Sequence, residues 1–154
     1  MGVTDRKALL LVRTGLLHDA FGHLFRRTHL RSQAAFARAF EGSGISPLQY
    51  GILELVLMNP GITHGEIAEA MVTAPSVVTT GMKPLLEDGF LEKRADDVDG
   101  RCIGHVLTPD GEGFFVMFRE RLTEAEALLL APLSAAERRS LKRLLQRLAQ
   151  APRL

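Results

Sequence analysis

The sequence predicts a mainly α-helical chain with one small β-hairpin, an α+β arrangement. Hydrophobic residues occupy 46% of the 154 positions, yet aromatic residues reach only 6% and Trp is missing, so an aliphatic core of packed helices is expected. Ser46, Thr63 and Ser134 are each followed three residues later by Gln or Glu, the pattern of a helix-start capping box. Between the last two of these signatures, two short segments with apolar residues flank a polar turn, which indicates a hairpin.

Bulk composition limits the class of protein. A length of 154 residues favours one domain with an attached dimerisation element. The net charge of +1 gives no sign of a nucleic-acid partner, so a DNA-binding surface would depend on the local placement of Arg and Lys. The single cysteine, Cys102, excludes an intrachain disulfide and favours a reducing compartment. Because no apolar run approaches the roughly 20 residues of a membrane helix, we expect a cytoplasmic protein.

Sequence motifs of enzymes are missing. There is no Gly-rich phosphate loop, no nucleophile elbow and no cluster of metal ligands. His18, His23 and His29 are spaced five and six residues apart, so they do not share one helix face. A redox role for Cys102 would need an activated thiol, for which the adjacent Arg101 is a weak reason. We therefore expect no catalytic residues, no metal and no cofactor.

The N-terminal segment predicts a long helix from about residue 6 to residue 41. Its phenylalanines fall in pairs four residues apart, so that each pair shares a helix face: Phe21 with Phe25, and Phe36 with Phe40. Gly42-Ser43-Gly44 ends the segment. The sequence leaves open whether the segment is one helix or two.

The central segment predicts a helix-turn-helix. A helix that starts after Ser46 is apolar on most sides and is expected at the centre of the core. A short helix from His64 to about Met71 is followed, after a tight turn, by a helix from Pro75 to about Glu87. On this last helix the inward-facing residues are expected to be Val78, Met82, Leu85 and Leu86. The outward-facing residues are expected to be Ser76, Thr79, Thr80 and Lys83.

A hairpin and two further helices follow. The hairpin strands are predicted over 90–94 and 102–107, with a polar and acidic connection between them. A hairpin directly after a helix-turn-helix forms the wing of a winged helix. The next helix starts at Thr108-Pro109, and the last one, after Ser134, carries an apolar stripe of Leu141, Leu144, Leu145 and Leu148.

Several segments, in the right order and spacing, resemble the MarR family of transcriptional regulators. The most specific is Asp99-Gly100-Arg101, then five residues, then Leu107-Thr108-Pro109-Asp110-Gly111, which matches the wing pattern of that family. The other matching segments are 45–50, 59–63, 66–68 and 85–94. The resemblance covers about residues 20 to 150.

The resemblance implies one chain, 1–154, built from two parts. Residues 6–44 and 109–154 would form a helical dimerisation region, and residues 46–108 would form a winged helix-turn-helix DNA-binding lobe. It also implies a homodimer that responds to a small ligand, often aromatic or phenolic, bound between the two parts. Two recognition helices about 34 Å apart would meet successive major grooves of a pseudo-palindromic operator.

The candidate DNA-binding residues lie on the recognition helix and the wing. Hydroxyl groups and Lys suit base edges and phosphates, and the helix offers Ser76, Thr79, Thr80 and Lys83. In the family, the residue matching Arg101 reaches the minor groove, where negative potential attracts Arg, and the residue matching Asp99 holds it by a salt bridge. The phosphate contacts expected at the wing base are Lys93 and Arg94. Without the wing pattern, these residues would be ordinary solvated surface.

The recognition helix and the wing depart from the family pattern. Family members often carry Arg in this helix at positions that here hold Pro75, Thr80, Gly81 and Pro84, and the helix has one cation, Lys83. Pro84 removes a hydrogen bond to the Thr80 carbonyl and is expected to kink or shorten the helix. The acidic residues of the wing tip repel phosphate: Asp96, Asp97 and Asp99. We therefore expect modest non-specific affinity and more use of hydroxyl contacts and DNA shape.

A set of aromatic and polar residues is the candidate effector site. Rings can stack on an aromatic ligand while polar groups fix its oxygen, and the candidates are His18, Phe21, His23, Phe25, Arg27 and Tyr50. An aromatic acid, an aldehyde or an aryl-CoA thioester fits this chemistry, the last with Arg residues at its phosphates. Taken singly, each residue fits an ordinary core or surface position better.

These observations predict a ligand-responsive repressor that binds its operator as a homodimer. The effector would release DNA by binding more tightly to a form with a different spacing of the lobes. The alternative is a winged-helix dimer that has lost operator binding and serves as a protein-interaction or small-molecule-binding module. The scarcity of cations on the recognition helix is the reason to keep this alternative open.

Overall fold

The computed structural model describes residues 15–95 and 103–152. In chain order these residues form a 3₁₀ turn (Gly15–His18), α1 (Phe21–Ala39), α2 (Pro47–Met58), β1 (Ile62–Thr63), α3 (His64–Ala70), α4 (Pro75–Glu87), β2 (Leu91–Ala95), β3 (Ile103–Leu107), α5 (Pro109–Leu129) and α6 (Ala135–Ala149). The predicted class, mainly helical with a small antiparallel hairpin, is confirmed.

All three predicted capping boxes are present. The Ser46 hydroxyl accepts the Gln49 N–H at 3.2 Å, and the Gln49 side chain accepts the Ser46 N–H at 2.8 Å. Thr63 and Ser134 make the same reciprocal pair with a glutamate, Glu66 and Glu137. These hydrogen bonds hold the pKa of both carboxyls below the ordinary value. The starts of α2, α3 and α6 are therefore fixed locally by sequence.

The N-terminal segment is not one uninterrupted helix in the part that the structure describes. Gly15 has a φ of 53°, and the 3₁₀ turn that it opens ends at His18. Ala20 is extended, with φ −67° and ψ 124°, so α1 begins only at Phe21. The helix ends at Ala39, two residues before the predicted end, because Phe40 leaves helical geometry.

The core forms where α2 packs against the other helices. Ile52, Leu53 and Val56 of α2 are almost completely buried, which confirms the predicted central position of this helix. An aromatic group continues this core toward α1 and α5: Phe36, Phe40, Tyr50, Phe115 and Phe118. The Phe36 and Phe40 rings stack at 3.9 Å, as expected for residues four apart on one face.

The sheet has a third strand that the sequence did not predict. Its order is β1-β3-β2, and both pairings are antiparallel. The two residues of β1 are too few for an alternating pattern, and in the sequence they look like the entry to α3. The predicted hairpin is confirmed with shifted bounds, since β2 begins one residue later than expected and Cys102 lies outside the described residues.

His105 is buried on the central strand of this sheet. Its burial leads us to expect that the free energy of unfolding depends on pH. Its Nδ1 lies 3.3 Å from the Ile62 carbonyl oxygen, and its cross-strand neighbour is Lys93. Burial lowers the pKa of His105, and the charges of Lys93 and His64 lower it further, against the Ile62 contact. The imidazole therefore takes up a proton at a lower pH in the folded protein than in the unfolded chain, where its pKa has the ordinary value of 6.5.

The stabilising contribution of neutral His105 is fully present above pH 6.5 and is lost as the pH falls toward the lowered pKa. We expect the free energy of unfolding to fall between pH 7 and pH 5 in the wild type, and to fall less in His105→Asn, which keeps a side-chain donor. Urea unfolding at each pH measures both slopes. Equal slopes in the two proteins would contradict this assignment.

The end of the winged helix-turn-helix lobe packs closely against the start of α5. The Thr108 hydroxyl donates to the Gly89 carbonyl at 2.6 Å, and the Thr108 N–H donates to the Phe90 carbonyl at 3.1 Å. A Cβ on Gly111 would collide with the Phe90 backbone, so only glycine allows this approach. The Phe90 and Phe114 rings stack at 4.1 Å beside it. These contacts fix the start of α5 against the lobe.

The helix α6 exposes its apolar stripe. None of its residues is buried, and Leu144, Leu145 and Leu148 are 49%, 43% and 62% exposed. They face an apolar groove of about 980 Å³ whose other wall is α1, with Phe21 and Phe25 exposed in it.

Within the described ranges, no helix combines the length and apolarity needed to cross a membrane.

Candidate nucleic-acid interface

The inner face of α4 is fixed against α2 and α3. Val78, Met82 and Leu85 are buried, as predicted, and Leu86 is half-buried. Gly81 is also buried, and a Cβ there would lie 2.7 Å from a Leu48 methyl carbon, so glycine lets α4 approach α2 closely. The turn between α3 and α4 contains Val72 at a φ of 50°, an unusual value for a β-branched residue.

The outer face of α4 is polar and exposed. Ser76, Thr79, Thr80 and Lys83 all lie on it and are all exposed, which brings the four predicted helix residues together on one surface. Lys83 Nζ is 3.8 Å from Glu87 one turn on, with 72% of the Lys83 side chain exposed. An exposed pair of this kind contributes at most about 0.5 kcal/mol, so the ammonium group remains available to another anion.

The two threonine hydroxyls of this face are already bonded. Thr79 Oγ1 donates to the Pro75 carbonyl at 3.1 Å, and Thr80 Oγ1 donates to the Ser76 carbonyl at 3.0 Å. Thr79 Oγ1 also lies 3.0 Å from Nε2 of His64, the first residue of α3. This His64 contact was not predicted from the sequence, because it depends on how α3 crosses α4.

Pro84 does not shorten the recognition helix. The helix runs through it to Glu87, and the Pro84 carbonyl accepts the Asp88 N–H at 2.8 Å. Pro84 lies one turn from the helix end, so the single hydrogen bond that it removes leaves most of α4 intact. The expectation of a shortened helix was wrong.

The wing supplies a second exposed set of charges. Lys93 and Arg94 are exposed on β2, and Arg94 lies 3.6 Å from Glu92. Their strand neighbours on β3 are His105 and Gly104. The remaining predicted residues of the wing lie outside the described residues: Asp96, Asp97, Asp99, Arg101 and Cys102.

The candidate effector residues do not form one cluster. Phe21 and Phe25 line the groove between α1 and α6, together with Arg31 and Arg147. Arg31 also donates to the Leu129 carbonyl at 3.2 Å, at the end of α5. The other candidates on this side do not line that groove: His18 and Arg27 are exposed, and His23 is half-buried.

Tyr50 lies apart from them, in the aromatic core. Its ring centroid is 5.5 Å from that of Phe40 and 5.1 Å from that of Phe115. Burial raises the pKa of Tyr50, and the nearby Glu54 carboxylate raises it further. Glu54 accepts a hydrogen bond from Arg119 of α5 at 2.8 Å. This ion pair links the lobe to α5, and it was not predicted from the sequence.

Comparison with known proteins agrees with this geometry. A model described as the MarR family matches residues 43–101, the segment that contains α2, α3, α4 and β2. Over this segment the chain is similar to the MarR family. The transcriptional repressor Rv2887 of Mycobacterium tuberculosis is 26% identical to this chain over 135 residues, which are 87% of the chain and 97% of Rv2887.

Solved structures show the same fold over nearly the whole chain. The repressor CouR, bound to a 23-mer DNA duplex, has a TM-score of 0.83 at 23% identity, covering 90% of this chain and 99% of CouR. PcaV of Streptomyces coelicolor, in complex with its natural ligand, has a TM-score of 0.78 at 26% identity, covering 92% and 99%. Rv2887 in complex with salicylic acid has a TM-score of 0.68 at 24% identity, covering 84% and 96%.

Proposed function

We propose that this chain is a MarR-type regulator, a homodimeric repressor that binds a pseudo-palindromic operator and is released by a small aromatic ligand. The observation that carries the proposal is the orientation of α4. Its inner face is buried, and its outer face presents one exposed polar surface formed by Ser76, Thr79, Thr80 and Lys83. A helix presented in this way fits the major groove, with the hairpin beside it. The relatives Rv2887 and CouR are repressors, which supports repression rather than activation.

The exposed apolar faces of α1 and α6 support the dimer. Leucine and phenylalanine side chains that are about half exposed in one chain are normally covered in the working assembly. Burying one such side chain contributes about 1.5–3 kcal/mol, and a two-fold axis counts each contact twice. In this proposal residues 6–44 and 109–154 belong to the dimerisation region, and residues 46–108 belong to the DNA-binding lobe.

The effector is an aromatic acid. Salicylic acid in the Rv2887 complex supports this class, and the groove beside Phe21 and Phe25 offers ring surfaces with Arg31 and Arg147 as cations for a carboxylate. The partner chain would close one side of this groove and leave space for a ligand at the other. Titration of salicylate, benzaldehyde or benzoyl-CoA into the protein–DNA complex separates the three chemical classes, and release by salicylate alone supports the acid.

Loss of one cation from each DNA-binding element tests the proposed interface. We expect Arg101→Ala to weaken operator binding about tenfold or more, because it removes the minor-groove contact that the family resemblance implies. Lys83→Ala should weaken binding less and reduce the salt dependence by about one counterion. Fluorescence anisotropy gives both affinities, and Lys142→Ala on α6 is the matched control. If both variants bind like the control while staying dimeric, the interface assignment is wrong and the interaction-module alternative is favoured.

A further inference from the structure

The hydrogen bonds of Thr79 and Thr80 restrict what these residues can offer to DNA. A hydroxyl group has one proton, and in each threonine that proton points to the carbonyl one turn back, at 3.1 Å for Thr79 and 3.0 Å for Thr80. His64 Nε2 lies 3.0 Å from Thr79 Oγ1 and must therefore be the donor of that pair. One lone pair therefore remains at Thr79 and two remain at Thr80, and each residue keeps its methyl group.

These remaining groups distinguish bases from phosphates. A phosphate oxygen and the N7 and O6 atoms of guanine need a donor, which neither threonine has free. Adenine and cytosine both present an amino donor for a threonine lone pair, whereas thymine alone presents a C5 methyl group, so the methyl contact is what favours T·A. Val77, on the same helix and 42% exposed, adds a further apolar group beside them. The Thr79 and Thr80 part of the α4 surface thus matches T·A pairs better than G·C pairs or the backbone, whereas Lys83 provides the donor on this surface.

We propose that Thr79 and Thr80 read T·A pairs of the operator through their methyl groups and lone pairs, and that His64 holds Thr79 in this state. The inference rests on the proposed DNA binding and adds the class of base that α4 selects. His64 is a positioning residue, since it acts through the Thr79 hydroxyl and belongs to α3 rather than to the reading helix.

Paired substitutions at Thr79 separate methyl recognition from hydroxyl donation. The probe is the duplex that the wild-type protein enriches from a random-sequence pool. We expect Thr79→Val, which keeps the methyl group, to bind within about threefold of wild type, and Thr79→Ser, which loses it, to bind about tenfold more weakly. Replacing the contacted thymine by deoxyuridine should weaken the wild type by a similar factor and should leave Thr79→Ser unchanged.

The same assay tests His64. We expect His64→Ala to weaken selective binding and His64→Gln, which can still donate, to restore it. In the Thr79→Val background, His64→Ala should have no further effect, because the hydroxyl that it holds is gone.

Two results would overturn the inference. One is wild-type affinity in Thr79→Ser with a tenfold loss in Thr79→Val, since this pattern means that the hydroxyl donates. The other is an enriched duplex in which removal of thymine methyl groups has no effect. A dimeric wild-type protein that enriches no duplex would instead contradict the proposed DNA binding itself.

Discussion

We expect Leu144→Asp to convert the protein into a monomer and to lower operator affinity by at least about 100-fold. Leu144 lies on the apolar stripe of α6, 49% exposed at the edge of the groove shared with α1. In a two-fold dimer the substitution places two carboxylates in an apolar interface, where an unpaired charge is costly to desolvate. A monomer meets one half-site and loses the gain of binding both halves together.

Gln146→Asp is the matched control for Leu144→Asp. It introduces the same charge on the same helix, two residues away, on the face opposite the stripe. Analytical ultracentrifugation should show monomer for Leu144→Asp and dimer for Gln146→Asp. A dimeric Leu144→Asp protein with normal DNA binding would mean that the partner does not cover this face of α6.

The second large effect concerns Gly111, at the junction of the lobe and α5. We expect Gly111→Ala to lower the free energy of unfolding by at least about 2 kcal/mol, because the new Cβ meets the Phe90 backbone, which cannot rotate away as a side chain could. The melting temperature should fall by roughly 5 °C or more for a chain of this size.

Gly113 provides the control for Gly111 on the same helix. A Cβ at Gly113 meets nothing within 4 Å, so Gly113→Ala should raise the free energy of unfolding by about 0.5–1 kcal/mol through its better helix propensity. Thermal unfolding followed by circular dichroism compares the two variants directly. Equal stability of Gly111→Ala and Gly113→Ala would show that the Phe90–Gly111 contact is not needed in solution.

The elements that the sequence predicted well are those encoded locally. The capping boxes at Ser46, Thr63 and Ser134 are motifs of only four consecutive residues, and each marks a helix start. The spacing of apolar residues along α4 likewise separates its inner face from its outer face. Each of these signals depends on neighbours along the chain, so no tertiary information is needed to recognise them.

The features that the sequence missed depend on contacts between distant segments. The strand β1 exists only because it pairs with β3, and His64 reaches Thr79 only because α3 crosses α4. The Glu54–Arg119 ion pair joins residues 65 positions apart. Of the two effects expected of Pro84, a kink or a shortened helix, the shortening was wrong, since the packing of Leu85 and the nearby helix end keeps α4 helical through the lost hydrogen bond.

The most direct test of the account is a fluorescence anisotropy titration of the purified dimer against the DNA upstream of its own coding region. A shuffled duplex of the same composition is the control, and both are measured at several salt concentrations. We predict tight binding to the upstream DNA, weaker binding to the shuffled duplex, and an affinity that falls linearly with salt on logarithmic axes. Equal, weak binding to both duplexes by a folded dimer would contradict the assignment of α4 and the wing as an operator-reading surface.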